Sequence, residues 1–379
     1  MKTLFILLAS ASLSLFDLSM VTTGRTQDQD VLTKVFSVRK GGTLDLDLNP
    51  GSVEITTWSK DEVKVDAEDV DRPEKLKMTQ SGNTVKVEYN DRRRSRRGPL
   101  FLINVPAEFS VNAKTSGGNV IEEGELKGRY TVETKGGNVE MDVIIGPVEV
   151  RSNGGNIKAT KVDGDAQLKT NGGNITVKMT TGDLTVESGG GNIRVDGVGK
   201  KLKLVTGGGN VTLGDLSATA DVRTGGGNLN VGKVQSSVRL VSGGGNVEVD
   251  GASEYVFLKT GGGNVRMKDI RGRLELTTGG GDVSVELTPN GKGESTIFSG
   301  GGDITLYVPD NAKANIEARV TEKYGWSGRH RKIDIRSDFK SEKFQRDEGE
   351  IVARYVLNGG GDNIAVETSN AVIEIRKLR

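Results

Sequence analysis

Apolar and polar residues alternate along this chain in short bursts, and the bursts recur at a fixed step. Val139 and Met141 are apolar and Glu140 between them is polar. The pattern returns at Ile157-Lys158-Ala159, Ile175-Thr176-Val177, Ile193-Arg194-Val195 and Val211-Thr212-Leu213. Its apolar pair continues as Leu229 and Val231, Val247 and Val249, Val265 and Met267, Val283 and Val285. Period-two alternation predicts a short half-buried β-strand. A second strand follows in each unit, with inward columns at Val148, Ala166, Leu184, Leu202, Ala220, Val238, Val256, Leu274 and at Val150, Leu168, Val186, Leu204, Val222, Leu240, Leu258, Leu276. The next position of the same parity is always Ser or Thr, from Ser152 and Thr170 to Thr278.

A Gly-Gly-Asn or Gly-Gly-Asp turn closes each unit. Its last residue falls at Asn119, Asn138, Asn156, Asn174, Asn192, Asn210, Asn228, Asn246, Asn264 and Asp282. The first step is 19 residues and the later ones are 18; Asp303 follows after 21, and Asp362 comes after a long insertion. Each unit is therefore strand, bend, strand, glycine corner. One unit cannot bury its apolar face, but stacked units can. The expected fold is all-β: a parallel β-solenoid, or β-helix, of 18-residue, two-strand coils with irregular β caps at both ends. Ten corners make nine rises, a rod of roughly 43 Å at about 4.8 Å per coil. The glycines are expected at the corners because they reach positive φ without steric cost. Identical residues would stack, so the Asn column (Asn138 to Asn264) predicts an amide ladder and the Ser/Thr column a hydroxyl ladder. A left-handed hexapeptide helix does not fit, since Val247 would be followed at six-residue steps by Ser253 and Lys259.

The flanks break the repeat. Residues 31–113 alternate less regularly, through Val38, Leu44, Leu46, Leu48, Val53, Ile55, Val63 and Val65. They predict antiparallel or irregular β-structure leading into the rod. Ile304, Leu306 and Val308 precede Pro309, and a long polar section then leads to a final strand, Ala371 to Ile375. The division reads as a signal peptide at 1–24, an N-terminal β cap at 31–113, solenoid repeats at 114–288 and a C-terminal β cap at 289–379.

Composition narrows the function. The 379 residues include 54 glycines, 7 prolines, one histidine and no cysteine, with a net charge of +1. Without a three-residue period the glycine is not collagenous. A balanced charge argues against nucleic acid as the partner. The absence of cysteine removes disulfides and thiolate metal sites, and the lone His330 leaves little for histidine catalysis. Lys2 followed by the apolar run Leu4 to Phe16 reads as a signal peptide, too short for a membrane span. No later segment is apolar enough to span. The expected location is exported: periplasmic, cell-surface or extracellular.

Several segments together resemble a bacterial putative-adhesin family of exported β-strand-repeat proteins, a domain of unknown function. They are Asn49-Pro50-Gly51-Ser52-Val53-Glu54-Ile55, Val105-Pro106-Ala107-Glu108, the Gly-Gly-Asn turns, Asp303-Ile304-Thr305-Leu306-Tyr307-Val308-Pro309 and the final Gly359-Gly360-Gly361-Asp362 turn. The resemblance covers about residues 35–379. It implies an envelope or surface location and a binding or scaffolding role, and it carries over no catalytic residues.

Candidate sites are few. Arg92, Arg93, Arg94, Arg96 and Arg97 form the densest charge cluster. They read either as an anion-binding patch or as a solvated hairpin loop between strands at Thr84 to Tyr89 and Leu100 to Val105. Tyr324, Trp326, Phe339 and Phe344, near His330, read as an aromatic contact loop or as packing on the rod's end. The Asp turns at Asp282, Asp303 and Asp362 differ from nine-residue calcium-binding repeats, because most turns carry Asn. No P-loop Lys-Ser/Thr follows the glycines. The repeats keep a near-constant length, so no long loops wall a polysaccharide-cleaving groove. Outward columns mix signs, as in Glu149, Gln167, Thr185, Lys203, Asp221 and Arg239. The Ser/Thr column has inward parity, which argues against ice binding. No cofactor and no metal is expected. The reading is a non-enzymatic cell-envelope or surface binding or scaffolding rod, adhesin-like, whose partner is an envelope component, glycan or protein. The alternatives are an envelope-stress sensor or regulator contacting a membrane partner, and a polysaccharide-acting β-helix enzyme.

Overall fold

The structure is a computed structural model that describes residues 21–26, 29–91, 98–291, 293–322 and 333–378. The signal-peptide run, Arg92 to Arg97 and the stretch holding Tyr324, Trp326 and His330 lie outside the described residues. Among the described residues the helical content is one 3-10 turn, Pro73–Lys75, and no helix is long and apolar enough to cross a membrane.

The chain is a β-solenoid. Each repeat contributes one strand to a first sheet and one to a second. Ile157–Asp163 and Ile175–Thr180 pair in parallel with Ile157 against Ile175 and Ala159 against Val177. In the facing sheet Ala166–Thr170 and Leu184–Ser188 pair with Leu168 against Val186. An 18-residue step thus places equivalent residues over one another. The inward columns are buried throughout, as in Val177, Val186, Leu204 and Leu240. A third inward column, which the sequence pattern had not singled out, lines the bend: Leu126, Ile144, Val162, Val198, Leu216, Val234, Ala252 and Ile270. Thr180 is its polar exception, buried with an unpartnered hydroxyl. Small aliphatics fill the narrow repeats, and aromatics enter the core where the rod begins, at Phe101, Phe109 and Tyr130.

The ends depart from simple stacking. The coil formed by Gly42–Asn49 and Ser52–Trp58 does not lie at the tip. Gly42–Asn49 sits between Thr84–Asn90 and Phe109–Thr115, parallel to both. Ser52–Trp58 likewise sits between Leu100–Pro106 and Val120–Lys127. Beyond them come antiparallel pairs, Glu62–Glu68 on Leu100–Pro106 and Leu76–Ser81 on Thr84–Asn90. The lead-in therefore holds both antiparallel strands and a genuine parallel coil. The C-terminus mirrors this. Asp362–Ser369 inserts between Ser295–Ser299 and Ala314–Thr321, and Val372–Leu378 between Ile304–Pro309 and Asp334–Ser337. The second sheet runs from Leu76–Ser81 to Lys343–Asp347. Among the described residues these two end strands each pair on one side only. It is therefore an open ribbon and not a closed ring.

The 19-residue step has a local cause. The register of Val120–Lys127 on Val139–Ile145 shifts between Glu122 and Glu125. A β-bulge with Gly124 at φ 109° takes up the extra residue.

A polar groove along the asparagine corners

Each glycine corner is held by three kinds of bond to its neighbours. At Asn174 the backbone N–H donates to Asn156 Oδ1 at 2.8 Å, and the carbonyl accepts the N–H of Ile157 at 2.9 Å. The hydroxyl of Thr170 donates to the carbonyl of Gly155 in the preceding coil at 3.0 Å and accepts the N–H of Gly173 at 3.2 Å. Two expectations are corrected here. The side chains do not ladder onto one another. The asparagine oxygens accept backbone N–H groups of the next coil, and the Ser/Thr hydroxyls satisfy glycine backbone at the corner. The reason is that a tight turn leaves backbone donors and acceptors unpaired inside the stack, and nearby side chains satisfy them.

The asparagine bond repeats without a break. Asn138, Asn156, Asn174, Asn192, Asn210, Asn228, Asn246 and Asn264 each accept from the next corner at 2.8–3.0 Å. Ser52 Oγ accepts from Asn119 at one end. Asp282 accepts from Asp303, and Asp303 from Val372, at the other. The series thus links the two intercalated terminal coils. None of the corner asparagines has positive φ; among the described residues the non-glycine residues that do are Asp69, Asp269, Asn358 and Asn370. Backbone preference therefore does not account for the column.

The glycines also differ from expectation. A Cβ on Gly173 would lie 2.0 Å from the Gly155 carbonyl oxygen, without any need for positive φ. Close coil-to-coil approach excludes a side chain there. From Gly227 to Gly281 the corner changes: the third glycine takes positive φ, 89° at Gly245. The hydroxyl then turns to its own corner, as Thr260 does to Gly262 at 2.7 Å. The Gly302 corner returns to the earlier form, with the Ser299 hydroxyl on the Gly281 carbonyl.

The four altered corners and the Asp303 corner line a groove of about 740 Å³, open along its length. Asn228, Asn246, Asn264, Asp282 and Asp303 form one side, and the outward column Asn230, Glu248, Arg266, Ser284 and Thr305 runs beside them. Glu374 of the inserted strand and Arg336 of Asp334–Ser337 beside it complete the groove, joined at 3.4 Å. Arg266 is exposed and makes no ion pair among the described residues. The carboxylates of Asp282 and Asp303 accept backbone N–H groups, and Glu374 binds Arg336 and Arg376. The arrangement offers hydrogen bonds and charges of both signs. Among the described residues no group of three or more His, Asp or Glu could hold a metal ion.

Other predicted residues fall elsewhere. Thr84–Asn90 belongs to the second sheet and Leu100–Pro106 to the first. These two strands therefore do not pair with each other as the arms of a hairpin, because each pairs within its own sheet; the arginines between them lie outside the described residues. Phe339 packs against the core with Lys377 Nζ 5.6 Å from its ring centre. Phe344 is 47% exposed on the edge strand Lys343–Asp347. On the second sheet's outer face Arg239 stacks 4.0 Å over Phe257.

The most perturbed carboxyl among the described residues lies in the core and not in the groove. Glu122 is 2% exposed in an inward column, paired in register with Met141. Burial pushes its carboxyl up to about 8, against a hydrogen bond from the Asp142 N–H. One of its oxygens and the hydroxyl of buried Tyr130 have no hydrogen-bond partner. Burial also raises Tyr130, with the Glu122 charge adding to it.

The model of the Toastrack DUF4097 family matches residues 42–240 and again residues 227–346. No curated protein sequence matches. Among solved structures, the chain is similar to a "putative adhesin" from Parabacteroides distasonis at 14% identity, covering 63% of this chain and 98% of that one, with a TM-score of 0.41. A "putative adhesin" from Bacteroides fragilis aligns at 12% identity over 92% of this chain and 97% of that one, TM-score 0.23. A "putative lipid binding protein" from Parabacteroides distasonis aligns at 15% identity over 64% and 94%, TM-score 0.30.

Proposed function

Because the chain belongs to the Toastrack DUF4097 family, we propose that it is a non-enzymatic binding or scaffolding rod of the cell envelope or cell surface. One observation carries this reading. From Asn138 to Asp282 the coils keep one length and register, so the outer faces are long, regular and polar with no loops among them to wall a reaction cleft. A rigid stack of parallel coils presents the same chemistry repeatedly along its length, which suits extended partners. Export supplies the compartment in which such a partner would be met.

The test is binding of the purified chain to envelope fractions and to a glycan array. Retention on either supports the reading. Failure to bind both, together with a single membrane protein recovered by crosslinking in cells, would replace it with the sensor or regulator role.

A further inference from the structure

We propose that the groove along Asn228, Asn246, Asn264, Asp282 and Asp303 is a binding site for a neutral, extended glycan chain. The inference rests on the surface-binding reading and names its site and ligand class. The corner-to-corner bonds set the polarity of the corner amides in the groove. Asn228 Oδ1 accepts the Asn246 N–H, Asn246 Oδ1 the Asn264 N–H, and Asn264 Oδ1 the Asp282 N–H, at 2.9, 2.9 and 3.0 Å. Only an oxygen can accept, so the amide orientation is forced. The Nδ2 group is what each side chain has left to offer, and nothing among the described residues holds it. The result is a row of amide donors at the coil rise of about 4.8 Å.

The same bonds exclude a peptide strand as the occupant. The corner N–H groups are taken by Oδ1 atoms. The corner carbonyls are taken as well: Asn246 accepts from Leu229, and Asn264 from Val247. The corner residues therefore offer no free backbone N–H or unoccupied carbonyl for β-strand addition. Recognition must run through side chains. Charge excludes an anionic polymer: Glu248, Asp282, Asp303 and Glu374 outnumber Arg266 and Arg336 among the lining residues. Sugar hydroxyls both donate and accept, so one neutral chain can take hydrogen bonds from the amides and Arg266 while donating to the carboxylates. A polymer whose repeat runs along the groove meets several corners at once, so affinity should grow with its length.

The experiment uses the full-length chain, free of its export signal, and neutral oligosaccharides of increasing length (cello-, malto- and chito-series), by calorimetry. Asn246→Asp keeps the oxygen acceptor of the ladder and removes the amide donor. It should leave the melting temperature unchanged and weaken binding about tenfold, the worth of one good hydrogen bond. Asn174→Asp makes the same change on the same ladder outside the groove and should bind as the parent does. Equal weakening by both substitutions, or parent-like binding by Asn246→Asp, overturns the site. Binding only to acidic oligosaccharides overturns the ligand class. If envelope fractions bind the parent chain but no neutral oligosaccharide does, the groove assignment falls while the surface-binding reading stands. If neither binds, that reading falls too.

Discussion

Asn192 Oδ1 accepts the backbone N–H of Asn210, one coil further along, at 2.9 Å. A carboxylate could make the same bond, as Asp282 does to Asp303. Acceptance alone does not explain the run of asparagine; charge does. Replacing Asn192, Asn210 and Asn228 together with Asp stacks three carboxylates at the coil spacing. Each adjacent pair should cost on the order of 1 kcal/mol at pH 7. Neighbouring negative charge raises these carboxyls in the folded state, so the deficit should shrink as the pH falls toward 4. Thermal melts at the two pH values test this. A triple variant as stable as the parent at both would leave charge without a role. Asn192→Ala, which loses the acceptor, should cost about 1 kcal/mol at either pH.

Adjacent glycines should respond in opposite ways to a methyl group. A Cβ on Gly172 meets nothing within 4 Å, while one on Gly173 lands 2.0 Å from a backbone oxygen of the coil before. Gly172→Ala should be neutral to within about 0.5 kcal/mol. Gly173→Ala should cost about 3 kcal/mol, because the obstacle is backbone and cannot swing aside. Urea denaturation of the two variants decides it, and similar midpoints would refute close coil approach as the constraint.

Neighbouring residues of opposite parity give a second contrast. Leu240 is fully buried between Val222 and Leu258 in register. Leu240→Asp should lose more than about 4 kcal/mol and unfold the adjoining coils. Arg239 stands outside, stacked on Phe257, and Arg239→Ser should cost about 0.5–1 kcal/mol. Circular dichroism melts would expose a misassigned face as equal damage from both.

Glu122 predicts a pH dependence of definite sign. Its folded value of about 8 lies above the ordinary 4.5, so the folded chain keeps a proton that the unfolded chain gives up. Its contribution to stability therefore declines as pH rises from about 4.5 to about 8 and is level outside that window. The slope is at most about 1.4 kcal/mol per pH unit. Glu122→Gln should remove this slope, and Glu122→Met, matching Met141 in the same column, should also raise stability at pH 7. Melting temperatures at pH 5 and pH 8 for the three chains are the check. An unchanged difference in Glu122→Gln would show that the buried acid is not its source.

Much of the rod was legible because its determinants are local. Alternation of period two assigns Leu240 inward and Arg239 outward without knowledge of any partner. A step of 18 residues then places Ile157 over Ile175, since parallel in-register stacking is what buries every column at once. The bend column from Leu126 to Ile270 was equally written in the spacing, six residues after most corners, but one polar member and the lack of strict alternation hid it. Other features could only be decided in three dimensions. The corner asparagines were visible as a column, yet their partner is a backbone N–H, because corner geometry determines which donors are left unpaired. Residues 42–58 and 362–378 look like ordinary ends along the chain. Their insertion between coils distant in sequence is a matter of which sheet edges remain open once the rest has paired. The groove follows from that insertion: it combines corners Asn228 to Asp303 with Arg336 and Glu374, and no sequence period connects those two groups.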